Sequence, residues 1–417
     1  MATQAPSSSR RVEVADIEAA RERIREHIRP TPVLKGGEIS RRVGVPVWLK
    51  AENLQRTGSF KLRGATNRIF TMPESELSRG VVAASAGNHA QAVAVAARDR
   101  GARAVLFMPE HAPVAKVAAV KAYGGEVRSV AGSYDDAAEQ AHEAVSREGL
   151  ILIHAFDDPV VVAGQGTVGL EVAEQAPETR LLVVAIGGGS LAAGSAIALK
   201  SRLPEARVVG VQSDACAPYP ASLEAHHPVK ARSANTICDG IAVKRPGELT
   251  LPLVSQYVDE VVTVSDDDVA QAMVLLLERS KLVVEGAGAA AVAALLAGKV
   301  EVPREGEVCA LLSGGNVDAA RLVECIRLGE TAAGRRLVFS VVVPDQPGAL
   351  ARLVNTVAAQ GANVLDVVHI REGVDLHVRE TGVRLVLQTE GPEHGERILD
   401  AVREAGFRSL AEGVRAG

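Results

Sequence analysis

The chain has 417 residues, enough for two or three domains, and 47% of them are hydrophobic but only 3% aromatic, so Ala, Val, Leu and Gly must supply most of the core. A net charge of -5 with acids and bases interspersed leaves no basic stripe for nucleic acid or an anionic membrane, and small solutes are the expected partners. Cys216, Cys238, Cys309 and Cys325 form no C-x-x-C pair, which argues against a zinc site or a disulfide framework and for reduced thiols in a cytoplasmic protein.

Residues 1–13 lack an apolar signal-peptide core and read as a disordered tail. Residues 14–28 place Ile17, Ala20, Ile24 and Ile28 on one helical face before Pro30 and Pro32 end the pattern. An extended run at 45–50 leads to Ser59, a candidate N-cap for a helix carrying Leu62, Ala65, Ile69 and Phe70. Lys61 then falls in the first turn, beside the positive end of the helix dipole and between apolar Phe60 and Leu62. Such an amine is easier to deprotonate, and a neutral lysine is a nucleophile and a base. The competing reading is a surface lysine lying along an amphipathic helix.

From there to about residue 328, short β-rich runs alternate with helical stretches. The runs lie at 81–84, 104–108, 127–130, 150–154, 181–186, 207–211, 261–264 and 308–312. This alternation predicts parallel α/β sheets covered on both faces, with chemistry in the loops after the strands. The longest apolar run, 287–298, is shorter than the roughly 20 residues of a membrane span.

Three of those loops stand out. Gly187, Gly188, Gly189 and Ser190 lead into a helix near Leu191, an arrangement of bare amides suited to a phosphate. With Ala192 the same stretch satisfies G-x-G-x-x-A, so a nicotinamide-dependent oxidoreductase is a rival, although no acid stands at the tip of the next strand. Ser85, Ala86, Gly87, Asn88 and His89 form a second anion-ready helix start, suited to a carboxylate; the ring of His89 reads as a hydrogen-bonded core histidine. Ser313 ends the strand at 308–312, where a hydroxyl can bond a heterocyclic nitrogen without giving it a full proton. Asp266, Asp267 and Asp268 follow Ser265 as a helix start rather than a metal set, and no metal site is expected.

Residues 329–336 resemble a linker. Beyond it the order β-α-β-β-α-β over 337–417 is the ferredoxin-like plan, with a turn at Asp345, Gln346, Pro347 and Gly348 before a helix bearing Leu350, Leu353, Val354 and Val357.

The motifs at 52–61, 85–89, 163–167 and 313–316, in this order, resemble the fold type II pyridoxal-phosphate enzymes, and more narrowly the threonine ammonia-lyases, over residues 14–328. The resemblance implies a tryptophan synthase beta-like architecture of two parallel-sheet subdomains, the smaller at about 73–153. It implies that Lys61 holds pyridoxal 5'-phosphate covalently, that Phe60 packs near its ring and that Asn88 bonds its 3-hydroxyl. Gly187, Gly188, Gly189, Ser190 and Leu191 would hold the phosphate, Ser313 would face the pyridine nitrogen, and the loop from Ser85 to His89 would take the substrate carboxylate.

In this chain Ser190 stands where the family often has a fourth glycine, and Gln212 stands where some relatives place a metal-binding acid. Ala86 replaces the second serine of serine racemases, which favours elimination over racemisation. The activity implied is conversion of L-threonine to 2-oxobutanoate and ammonia, with L-serine giving pyruvate as a lesser reaction. A serine-preferring dehydratase of the same family and a non-catalytic amino-acid sensor are the alternatives.

The tail resembles an ACT domain, which implies an amino-acid effector at Asp345, Gln346, Pro347, Gly348 and Leu350 between paired modules, and hence a homo-oligomer, dimer or tetramer. Isoleucine biosynthesis and threonine breakdown both remain open as physiological roles.

Overall fold

Apolar runs form the strands in the computed structural model, which describes residues 12–372 and 376–410. The chain divides into a unit Met1–Ala319 and a unit Ala320–Gly417. The first holds, in chain order, β1 (Val33–Lys35), β2 (Val47–Ala51), β3 (Val81–Ala84), β4 (Ala104–Pro109), β5 (Glu126–Val130), β6 (Ile151–Leu152), β7 (Thr179–Ala185), β8 (Arg207–Ser213), β9 (Glu260–Val264) and β10 (Glu307–Leu312).

They make two sheets. One has six strands in the order β1-β2-β10-β7-β8-β9, parallel except for β1, which adds an antiparallel edge that the sequence did not signal. The other is wholly parallel, in the order β5-β4-β3-β6, and lies within residues 81–152.

Small residues set the packing. The helices Pro159–Gln175 and Ser190–Arg202 approach so closely that a Cβ on Gly169 would lie 2.3 Å from the Ser195 carbonyl oxygen, and one on Gly194 2.5 Å from that of Val162. Backbones meeting at this distance need no aromatic filler, which accounts for the composition.

The helix Lys61–Phe70 crosses Pro159–Gln175 in the same manner, with Gly64 N donating to Gln165 Oε1 at 3.1 Å. Next to that crossing Arg63 is fully buried. It donates to both oxygens of Glu52, at 2.8 and 2.7 Å, and to both oxygens of Glu171, at 2.6 and 2.9 Å. Lys50, also buried, donates to Glu171 at 2.6 Å and to the Thr31 carbonyl at 2.7 Å. Two cations and two anions thus join β2, the turn Glu52–Leu54 and both helices.

The second unit contains β11 (Arg336–Pro344), β12 (Asn363–Ile370), β13 (Glu380–Gln388) and β14 (Arg408–Ser409), an antiparallel sheet in the order β12-β13-β11-β14. The helices Ala349–Ala359 and Pro392–Glu404 bring Leu353, Val357, Ile398 and Val402 against Val341, Val383 and Leu385 in its own core.

Four local expectations need correction. Residues 1–11 of the expected tail lie outside the described residues, but Val12 is buried in the core, where its side chain leaves water. The first helix stops at Ile24, short of residue 28. The helix Ala319–Ala332 runs through the first half of the expected linker, Gly329 included, and ends just before Gly334, whose φ is +66°. Ser59 is no N-cap: the helix starts at Lys61 after Phe60, while the Ser59 backbone pairs with Gly314 and its hydroxyl is buried without a partner. Among the described residues no helix is long and apolar enough to cross a membrane.

Arg63→Leu would leave Glu52 and half of Glu171 uncompensated in the interior, a change that costs about 3–5 kcal/mol. Urea unfolding of the parent and the variant checks this; a loss below about 1 kcal/mol would contradict the account of the cluster.

Candidate active site

β2, β10 and β7 are parallel neighbours, so the segments that leave their carboxyl ends emerge on one edge of the sheet. From β2 the chain reaches Lys61, from β7 the glycine loop, and from β10 Ser313. Backbone bonds stitch the first and third together: Phe60 N donates to the Ser313 carbonyl at 3.1 Å, and Gly315 N to that of Gly58 at 2.8 Å. Gly58 has φ +73°, and a Cβ there would stand 2.5 Å from Asn316 Oδ1, so both the turn and the close approach demand glycine.

Lys61 is only partly exposed, and its amine donates to the Ala155 carbonyl at 2.9 Å and lies 5.1 Å from the centre of the Phe60 ring. Burial pushes the amine down to about 8, against the opposing charge of Glu285. The position expected for a nucleophilic lysine is thus matched by its surroundings, with burial as the leading cause.

Asn88 begins the helix Asn88–Asp99. Its Nδ2 donates to Glu285 Oε1 at 2.6 Å, and its Oδ1 accepts from Asn316 Nδ2 at 2.7 Å. Ser85 Oγ accepts from Gly87 N at 3.1 Å, and the first amides of this helix, at Asn88 and His89, have no partner within it. The ring of His89 turns away: Nε2 lies 2.8 Å from the Ile153 carbonyl oxygen, and burial, then Lys61, push the imidazole down to about 3. His89 therefore offers the loop its backbone and not its side chain. Ala86 adds no polar group.

Behind the glycine loop, Thr250 Oγ1 and Tyr219 Oη donate to the Gly188 carbonyl at 2.6 and 3.2 Å. Gly189 has φ +97°, and a Cβ on it would stand 2.1 Å from Tyr219 Oη; a Cβ on Gly188 would meet the Phe156 ring at 2.1 Å. The loop admits only glycine at both places, and the helix Ser190–Arg202 that follows presents the free amides of Ser190 and Leu191, an anion cradle. Gln212 is spent on tying this loop from behind, donating to the Ile186 carbonyl at 3.2 Å and accepting from Tyr219 N at 3.0 Å. Ser313 is buried at the end of β10.

In the second unit Asp345 is ion-paired with Arg371 at 2.8 Å, and Gly348, at φ +89°, starts the helix Ala349–Ala359. Leu350 packs partly against the core, while Gln346 and Pro347 are exposed.

Residues 24–314 match the pyridoxal-phosphate dependent enzyme family and residues 337–404 the ACT domain. The L-threonine ammonia-lyase of Geobacter sulfurreducens is 42% identical over 391 residues, 94% of this chain and 97% of its own length. The chain belongs to the pyridoxal-phosphate-dependent threonine ammonia-lyase family. The catabolic L-threonine dehydratase of Escherichia coli is 42% identical over 312 residues, 75% of this chain and 95% of its own. Among solved structures, maize serine racemase superposes with a TM-score of 0.72 at 36% identity, covering 75% of this chain and 96% of that one.

The residues present fit the family's cofactor. A neutral-prone amine suits an aldehyde, and a loop closed to any Cβ suits a phosphate. The hydroxyls of Thr57 and Ser59, in the segment that leads to Lys61, are buried without partners among the described residues. Sequence reading missed Glu285, Tyr219, Thr250, Phe156 and the Ala155 carbonyl. Only Glu285 left a trace, as a lone acid before the Gly- and Ala-rich helix Gly286–Leu296. The others act through tertiary contacts.

In the cofactor-free protein, labelling of Lys61 by an amine-directed reagent should rise with pH around a midpoint near 8 instead of 10.5. Site-resolved mass spectrometry measures it, and a midpoint at the ordinary lysine value would show that burial does not govern this amine.

Proposed function

We propose that this chain is a pyridoxal-phosphate-dependent L-threonine ammonia-lyase that forms 2-oxobutanoate and ammonia, with regulation through its ACT domain. The observation that carries this reading is the partly buried amine of Lys61, held at the Ala155 carbonyl, in a chain that aligns over 94% of its length with an L-threonine ammonia-lyase. The roles of the individual residues below are part of the proposal.

Lys61 would hold the cofactor through its aldehyde carbon, and the amides of Gly188 to Leu191 would hold its phosphate. Pyridoxal phosphate supplies a sink for the electron pair left when the substrate's Cα–H bond breaks. The substrate carboxylate lies on the free amides at the start of Asn88–Asp99, with Ser85 shaping the turn. Lys61, when not bonded to the cofactor, would be the base that takes the Cα proton, and a base so placed is worth roughly 10² to 10⁴ in rate.

A hydroxyl at Ser313, where a carboxylate would favour a protonated ring, keeps the heterocyclic nitrogen largely unprotonated. A ring held in this form would withdraw less negative charge, which would favour loss of the β-hydroxyl of threonine. The enamine released hydrolyses to 2-oxobutanoate and ammonia; L-serine gives pyruvate by the same steps. The likeness to maize serine racemase raises racemisation as a second reading. Ala86 offers no hydroxyl to return a proton on the opposite face, which supports elimination.

The effector lies near Asp345, Gln346, Pro347, Gly348 and Leu350, between modules of a dimer or tetramer, and acts by favouring one arrangement of the oligomer. The four cysteines, all free and buried, support a cytoplasmic protein. Fusion to a sensing module favours feedback control of isoleucine synthesis over simple breakdown.

With pyridoxal phosphate the protein should release ammonia and 2-oxobutanoate from L-threonine, and borohydride should fix the cofactor on Lys61 as a secondary amine. Lys61→Ala should lower turnover by at least roughly 10²-fold, and near-parental turnover would refute its role. L-Isoleucine, L-valine, L-serine or L-threonine in excess should shift the threonine saturation curve, and Asp345→Ala should weaken that shift. A curve indifferent to all four amino acids would remove the regulatory part of the reading.

A further inference from the structure

A side-chain amide has two ends of similar shape and opposite hydrogen-bonding character, so its direction must be imposed from outside. At Asn88 it is imposed twice. Asn316 Nδ2 spends its two hydrogens on the Thr57 carbonyl and on Asn88 Oδ1, both at 2.7 Å, so Asn88 can show Asn316 only its oxygen. The other end of Asn88 gives one hydrogen to Glu285 Oε1 at 2.6 Å, and one hydrogen is left over.

We propose that Glu285 is a positioning residue, which, by accepting one N–H of Asn88, aims the second at the phenolic oxygen of the cofactor and tunes that bond through its own protonation. This rests on the cofactor reading under Proposed function and on the bond from Asn88 to the cofactor's 3-hydroxyl that the family resemblance implies.

The carboxyl group is held where it can do this. Glu285 N donates to the Gly314 carbonyl at 3.1 Å, and a Cβ on Gly314 or Gly240 would come within 2.4 or 3.4 Å of Oε1. Titratable groups face it from several elements. Lys61 faces it from its helix, Cys238 and Asp239 from the turn Asp239–Ile241, and Lys116, ion-paired to Asp239 at 2.6 Å, from the helix Val114–Ala122. Asn88–Asp99 brings Asn88 and the neutral His89, and the loop at 313–316 brings no titratable side chain. Burial first, and then Asp239, push Glu285 up to about 7, opposed by Asn88, Lys116 and Lys61. Above that pH a carboxylate accepts from Asn88; below it a weaker, neutral oxygen does.

The test compares the parent, Glu285→Gln and Glu285→Ala, each freed of cofactor and titrated with pyridoxal phosphate, reading the dissociation constant and the position of the visible absorption band on both sides of pH 7. The parent should bind with a band that shifts through about 7. Glu285→Ala should bind about tenfold more weakly, since the Asn88 amide is no longer held. Glu285→Gln still accepts through its amide oxygen and should bind within about threefold of the parent, with a band that no longer responds to pH near neutrality. Parental affinity and band in Glu285→Ala, or an unchanged pH response in Glu285→Gln, would overturn the proposal. If Glu285→Ala does not fold, the pH response of Glu285→Gln decides alone. Failure of the parent itself to bind pyridoxal phosphate would instead remove the reading of the site.

Discussion

Two residues beyond Lys61, the guanidinium of Arg63 lies wholly inside the protein, closed by Glu52 on one side and Glu171 on the other, with Lys50 completing the set. Burial favours the neutral form of the arginine, yet the two carboxylates outweigh it and hold the proton more firmly than usual. Removing four charges from water costs several kcal/mol for each, and their attraction returns a comparable amount, so the cluster adds little net stability. Its effect is on placement. The four side chains meet in only one arrangement of β2, the turn after it and the two crossing helices, and that arrangement fixes the start of the helix that carries Lys61.

The sheet order then decides what Lys61 faces. β10 is inserted between β2 and β7, although it is the last strand of the first unit in sequence. Parallel pairing from Val308 against Val47 to Leu312 against Ala51 sets the ends of β2 and β10 level, and β7 continues the row. The segments that emerge there come from parts of the chain more than a hundred residues apart, and only this crossover brings them together. The smaller sheet supplies Ser85 and Asn88 from the end of β3 and the Ala155 carbonyl from beyond β6.

Elements with strong periodicity were legible in the sequence, as were the loops whose chemistry lies in residue type: Lys61, the glycines at 187–189, Ser85 to His89 and Ser313. The β-α-β-β-α-β order of the second unit was legible for the same reason. What could not be read were groups that act through carbonyls or through contacts distant in sequence, such as Ala155 beneath the lysine amine and Tyr219 behind Gly189. Ser59 misled because its residue type suits an N-cap, whereas tertiary pairing with Gly314 claimed its backbone and moved the helix start to Lys61. The edge strand β1 is too short to carry a period.

Charge inside the site follows one rule: burial drives each isolated titratable group toward its neutral form. It lowers Lys61 and His89 and raises Glu285. Paired charges stand beside the site, in the Arg63 cluster and in the Lys116–Asp239 ion pair. In the proposed reaction Lys61 must be uncharged to attack a carbonyl carbon and again to take a proton, and a fully ionised carboxylate beside it would oppose both by stabilising the ammonium form. A Glu285 poised near neutrality limits that opposition while still orienting Asn88. In the proposed reaction, this separation of paired charge from neutral groups would let one lysine serve as both nucleophile and base.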